Sequence, residues 1–69
     1  MEEFVIITKN GFKYSGRFYL IDGEVVRIFE PETKDYFLEE GLIELIIPLS
    51  NVLSIEHFKR KGKEKSNKV

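Results

Sequence analysis

Over one stretch of this chain apolar and polar residues alternate with a period of two. Phe12, Tyr14, Gly16, Phe18 and Leu20 alternate with Lys13, Ser15, Arg17 and Tyr19, the pattern of a half-buried strand. Before this run, Phe4 to Thr8 is apolar and partly β-branched and predicts a first strand. The two are joined through Asn10-Gly11, a hairpin signal because both turn residues tolerate positive φ. Asp22-Gly23 predicts a second tight turn, and Glu24 to Phe29 a third strand. Leu42 to Ile47 predicts a fourth strand, apolar on both faces apart from Glu44 and ended by Pro48. Leu49-Ser50-Asn51 predicts a tight connection of one 3₁₀ turn, and Val52 to Phe58 a fifth strand. Between the third and fourth strands, Pro31-Glu32-Thr33-Lys34 has the order of a type I turn. Tyr36-Phe37-Leu38 fits either a long hairpin or a short helical turn.

Five short strands joined by tight turns predict an all-β fold: a five-stranded, strongly bent antiparallel SH3-like or Sm-like barrel over residues 1–58. Gly16 marks the bend, since glycine at mid-strand costs stability unless the backbone turns sharply or meets another chain. From Lys59 to Lys68 no apolar residue appears. Such a run cannot bury a core, so residues 59–69 are expected to form a disordered basic tail.

Charge separates these two parts. Residues 1–58 carry five cations against eleven acids, a net of −6; residues 59–69 carry six cations against Glu64, a net of +5. The body repels phosphate and the tail attracts it. With no cysteine and His57 as the only histidine, neither a disulfide nor a thiolate metal site is expected, and no cofactor or metal is assigned. A core of this size alone rarely supplies more than about 3–5 kcal/mol, so oligomerisation is the expected supplement. The longest apolar run, Leu45 to Leu49, is too short to span a bilayer. The start Met1-Glu2-Glu3 lacks the basic opening of a signal peptide. The expectation is a cytoplasmic protein with no membrane contact.

Two strings then stand out. One is the apolar strand followed by Asn10-Gly11, Gly16 and Asp22; the other is Ile47-Pro48-Leu49-Ser50-Asn51-Val52 with Ile55. Over residues 4–57 these resemble the two motifs of the Sm-like (LSm) and bacterial Hfq family. The resemblance implies a homo-oligomeric ring of about six or seven subunits that binds single-stranded RNA. It also implies an altered base pocket. Glu24 stands where the family stacks a base, and Val26 where an asparagine reads uracil. Pro48-Leu49 and Leu49-Ser50 stand where the family carries Arg-Gly or Lys-His.

The candidate RNA contacts are therefore Lys13, Arg17 and Tyr19 on one strand face, Asn51 in the second motif, and Lys59, Arg60 and Lys61 at the start of the tail. Each has a plainer reading: a solvated face for the first three, backbone satisfaction for Asn51, a solubility device for the tail. Asp22 is expected to hold its turn by accepting backbone N–H bonds. Tyr14, on the face of Phe12 and Phe18, is expected in the core. The candidate oligomer contacts are Leu42, Leu45, Ile46, Ile47, Val52, Leu53 and Ile55, because a strand apolar on both faces needs a second cover. No nucleophile–base pair is apparent, and a lone histidine with loop carboxylates such as Glu30, Glu32, Glu39 and Glu40 does not make a catalyst, so no enzyme is expected. The first functional expectation is an RNA-binding Sm-like ring with non-standard base recognition. The alternative is a protein-interaction or structural module on the same barrel, partnered by another protein and binding no nucleic acid.

Overall fold

The computed structural model describes residues 2–59. They form six strands: β1 (Glu2–Thr8), β2 (Lys13–Tyr14), β3 (Phe18–Asp22), β4 (Val25–Phe29), β5 (Glu44–Pro48) and β6 (Val52–Lys59), with one 3₁₀ turn over Leu49–Asn51 before β6. No α-helix occurs among the described residues. The strands make two antiparallel three-stranded sheets, ordered β2-β1-β6 and β3-β4-β5.

This arrangement corrects the expected five-stranded barrel. The long second strand is divided at Gly16 into β2 and β3, which belong to different sheets. A Cβ on Gly16 would lie 2.8 Å from the carbonyl oxygen of Phe29 and 2.9 Å from that of Glu30, so the chain turns this corner only without a side chain. No ladder joins β5 to β6 among the described residues, and the sheets are not closed into a barrel.

Both expected turns are present. Gly11 (φ 94°) lies between β1 and β2, and Gly23 (φ 65°) lies between β3 and β4, the left-handed region that glycine enters without steric cost. The stretch expected as a type I turn instead carries an isolated bridge at Glu32, with a bend from Lys34. Glu32 bridges to Ser15, with N–H···O bonds of 2.9 and 2.8 Å exchanged between them. Glu30 takes φ 52° to swing the chain into that pairing. Tyr36-Phe37-Leu38 forms neither strand nor helix. The fourth predicted strand begins at Glu44, leaving Leu42 and Ile43 in the loop, and the last strand extends one residue, to Lys59. The tail expected over residues 59–69 lies outside the described residues from Arg60 onward.

The core sits between the sheets. Phe4 and Ile6 of β1, Tyr14 of β2, Val26 and Ile28 of β4 and Ile47 of β5 are buried, with Phe12, Tyr19, Leu45, Leu49, Val52 and Ile55 packed around them. Thr8 is buried among them and polar. Its hydroxyl hydrogen-bonds the Asn10 side chain and accepts the Phe12 N–H at 3.2 Å, which removes the penalty of burying it.

Candidate nucleic-acid interface

The structure separates residues that the alternating pattern put on one face. Lys13 opens onto a groove of about 410 Å³ with Val5, Tyr14, Ser15 and the loop residues Glu32 to Asp35. Tyr19 turns the other way, into the gap between the sheets. There its ring packs on Phe4 with centroids 4.7 Å apart, and its hydroxyl meets Nε2 of His57 at 2.5 Å. Tyr19 is on β3 and His57 on β6, so this bond ties one sheet to the other. Glu3, Phe4, Arg17, Phe18, Tyr19 and His57 line a cleft of about 180 Å³ at this place. Arg17 pairs with Glu30 at 3.7 Å, both side chains largely exposed. Such a pair contributes about 0–1 kcal/mol and restrains the guanidinium little.

Phe18 faces away from the core, half exposed and stacked on Phe29 at 4.6 Å with the rings 14° apart. Arg27 lies over the Phe29 ring at 5.5 Å. Its guanidinium donates to Glu44 at 2.5 Å and to Asp22 at 3.3 Å. The hydrogen bond and charge of Glu44, with a smaller contribution from Asp22, hold the guanidinium above its ordinary range. Asp22 thus serves an ion triad on the outer sheet face. Its side chain was expected to hold the turn; the structure engages it with Arg27 instead.

Asn51 closes the 3₁₀ turn, and its backbone carbonyl accepts the Lys9 N–H at 2.8 Å. This places it at the end of the molecule that carries the Asn10-Gly11 turn, away from the Tyr19 cleft. Beside the 3₁₀ turn, Glu24, Val25, Pro48, Leu49 and Ser50 line a third hollow of about 350 Å³. It is largely apolar, with one carboxylate and one hydroxyl as its charged and polar side chains. Lys59 pairs with Glu2 at the end of the β1–β6 ladder. Arg60 and Lys61 lie outside the described residues.

Of the expected oligomer contacts, Leu45, Ile47, Val52 and Ile55 pack into the chain's own core. Ile46, Leu53 and Leu42 are exposed. The outer edges of β5 and β6 carry no pairing among the described residues. Sequence reasoning missed His57 as a partner of Tyr19. The signal was available only as register, since Phe4 opposite His57 brings the imidazole to the ring that Tyr19 covers.

Among the described residues there is no group of three or more metal-ligating side chains, and no helix long and apolar enough to cross a membrane. Comparison with known proteins finds no matching family model, no matching curated protein and no matching solved structure.

Proposed function

We propose that this chain is the subunit of an Sm-like homo-oligomeric ring of about six or seven copies that holds single-stranded RNA. The observation that carries the reading is the pair of open apolar edges. Among the described residues β5 and β6 leave their outer edges unpaired, and Ile43, Ile46, Leu53 and Phe58 beside them are 50–74% exposed. Natural proteins block such edges with lysine, proline or a bulge because they recruit other chains; here Pro48 stands at one end of β5, and β6 has a register shift at its start and Lys59 at its end, so the middle of β5 is left unblocked. Pairing β5 of one copy with β6 of the next covers both edges. As a heterologous contact, it repeats until the ring closes and completes the sheet that a single subunit leaves open.

Each subunit brings one segment of charge +5 on a body of charge −6. Gathered in a ring, these segments supply the phosphate contacts together, with an effective concentration that no single tail has. Base recognition differs from the family's uridine pocket, because Glu24, Pro48 and Leu49 line the corresponding hollow. The protein is not an enzyme in this reading, and its compartment is the cytoplasm.

Sedimentation of the full chain tests assembly. A particle several-fold heavier than the subunit is expected, and a monomer at high micromolar concentration refutes the ring. The structure sharpens this test. Ile46→Lys alters a side chain that is 55% exposed and should dissociate the assembly into folded subunits. Ile47→Lys buries a charge and should unfold the chain instead. For RNA, neutralising Lys61, Lys63 and Lys65 to serine in the full chain should reduce the log–log salt slope by about 2, at about 0.7 for each lost phosphate contact.

A second reading has one observation in its favour. Phe37 is fully exposed at the tip of the loop between β4 and β5, as an anchor for another protein would be. RNA affinity absent in the full chain, together with capture of a protein lost on Phe37→Ala, would favour that module.

A further inference from the structure

The two sheets part at Gly16 like the arms of a fork. β2 holds β1 on one side and, through Ser15, bridges to Glu32 on the other. Past the bend, β3 keeps a partner only on the second of these sides. The Arg17 N–H donates to the Phe29 carbonyl at 2.9 Å, and the β3–β4 ladder follows. The opposite side of β3, the one on which β2 holds β1, carries no strand among the described residues. We propose that this outer edge of β3 is a docking site for an extended segment of another protein, which adds to the β3-β4-β5 sheet as a fourth strand and seats one side chain in the cleft at Phe4, Tyr19 and His57. This site is separate from the β5 and β6 edges of the ring and from any RNA contact.

The edge lacks the devices that close such an edge. Phe18–Asp22 reads Phe-Tyr-Leu-Ile-Asp, with no lysine, no proline and no break in its register with β4. Alternate residues of an antiparallel edge strand direct their N–H and C=O groups outward, and those of β3 meet no backbone partner among the described residues. An added strand forms main-chain hydrogen bonds there, and pockets for its alternate side chains set specificity. Phe18 and Leu20 stand on the outer face of the sheet and Ile21 alternates to the other, and all three are exposed. Both faces of the incoming strand therefore meet apolar surface. The cleft opens at the start of this edge. Arg17, Phe18 and Tyr19 line it from one arm of the fork, and Glu3, Phe4 and His57 from the other sheet. Its volume of about 180 Å³ has room for one side chain and not for a folded element. Inside, the Tyr19 hydroxyl and Nε2 of His57 satisfy each other, and the Phe4 and Tyr19 rings form an aromatic wall. Such a lining suits an apolar or aromatic residue. Charge sets the flanks of the partner segment. Residues 1–58 carry a net charge of −6, so the complementary segment is apolar where it pairs and basic at its ends.

The test uses the full chain and a blocked synthetic peptide of about eight residues, alternating valine and threonine around a central phenylalanine, with a lysine at each end. In the free chain the outward amides of β3 are expected to exchange rapidly with solvent. At about 1 mM peptide they should become protected. The imidazole resonances of His57, the only histidine, should shift as the phenylalanine enters the cleft. The same peptide N-methylated through its central residues keeps its side chains and loses the pairing, and should bind at least on the order of tenfold more weakly. Ile21→Lys, at a side chain 53% exposed, installs the block that natural edges use. It should abolish the protection with the fold unchanged by circular dichroism, while Ile46→Lys on β5 should leave the protection in place. Outward β3 amides already protected in the free chain would mean that this chain or a second copy fills the edge, and would overturn the docking site. Equal affinity for the N-methylated peptide, indifference to Ile21→Lys, or no response at about 1 mM peptide would overturn it as well. Each of these results would leave the ring and its RNA contacts standing.

Discussion

Two tyrosine hydroxyls hold this molecule together in different ways. Tyr14 is buried, its hydroxyl 2.9 Å from that of Tyr36 in the loop between β4 and β5. Phe12, Tyr14 and Tyr36 form a ring cluster with centroids 5.3 to 6.5 Å apart. The same loop is pinned twice more: Asp35 accepts the Lys13 N–H at 2.7 Å, and the Thr33 hydroxyl donates to the Lys13 carbonyl at 2.7 Å. Tyr19 is half-buried; its ring contact with Phe4 and its bond to His57 span the gap at its end, beside a cleft. The contrast shows how a small two-sheet fold divides its labour. Where a loop supplies rings and hydrogen bonds, the gap becomes core. Where one ring contact and one side-chain bond bridge it, a cleft remains.

The comparison breaks most visibly at the two rings themselves. Tyr14→Ala removes a buried aromatic and should cost about 3–5 kcal/mol, as much as a core of this size supplies, so the isolated subunit should be unfolded by circular dichroism. Tyr19→Ala should cost clearly less in a urea titration. Equal losses would mean that the Tyr19 end is core as well.

The corner that separates the two sheets comes next. Gly16→Ala forces a methyl group against two backbone carbonyls, and overpacking of this kind costs about 1–3 kcal/mol. A denaturant midpoint unchanged by this substitution would show that the bend is less tightly built than its distances indicate.

Asp35→Ala tests the loop alone. It removes one exposed acceptor from the Lys13 N–H and should cost about 1 kcal/mol. The distinguishing readout is hydrogen exchange: faster at the Lys13 amide and over residues 36–42, unchanged in β1 and β6.

The smallest effect under ordinary conditions is a pH dependence. Burial first, then the hydrogen bond and charge of Tyr36 and the charge of Asp35, push the Tyr14 hydroxyl above the ordinary phenol range. A raised acid of this kind keeps its proton in the folded state longer than in the unfolded one. Its contribution to stability is therefore complete below about pH 10, the ordinary tyrosine value, and is lost as pH rises beyond it. Tyr14→Phe should flatten the alkaline limb of stability against pH, at a fixed cost of about 1 kcal/mol for the lost hydrogen bond. An alkaline limb of the same slope in both proteins would assign it to other groups.

Much of this fold was legible in the residues. Period-two alternation and the Asn10-Gly11 and Asp22-Gly23 turns locate β1 and β4 within two residues and place β2 and β3 together as one strand, because turn chemistry and side-chain alternation are local properties of the chain. The 3₁₀ turn at Leu49–Asn51 and the burial of Tyr14 follow from the same kind of reasoning. The sequence also separates acidic body from basic segment, since charge depends on composition alone. The bridge from Ser15 to Glu32 was not legible, because that pairing is set by what the distant chain offers across the gap. Nor was the splitting of one apolar strand into inward and outward side chains: Ile47 enters the core while Ile46 does not.

The sequence by itself thus determined the strands, their turns and the charge division, all governed by interactions between near neighbours. Tertiary structure alone decided that Gly16 divides one strand between two sheets, that the β5 and β6 edges are unpaired among the described residues, and that Tyr19 leaves the face of Lys13 to meet His57. Those outcomes depend on how two twisted sheets pack face to face. A one-residue change in register or a single backbone bend redirects every side chain beyond it, and no local pattern records that choice.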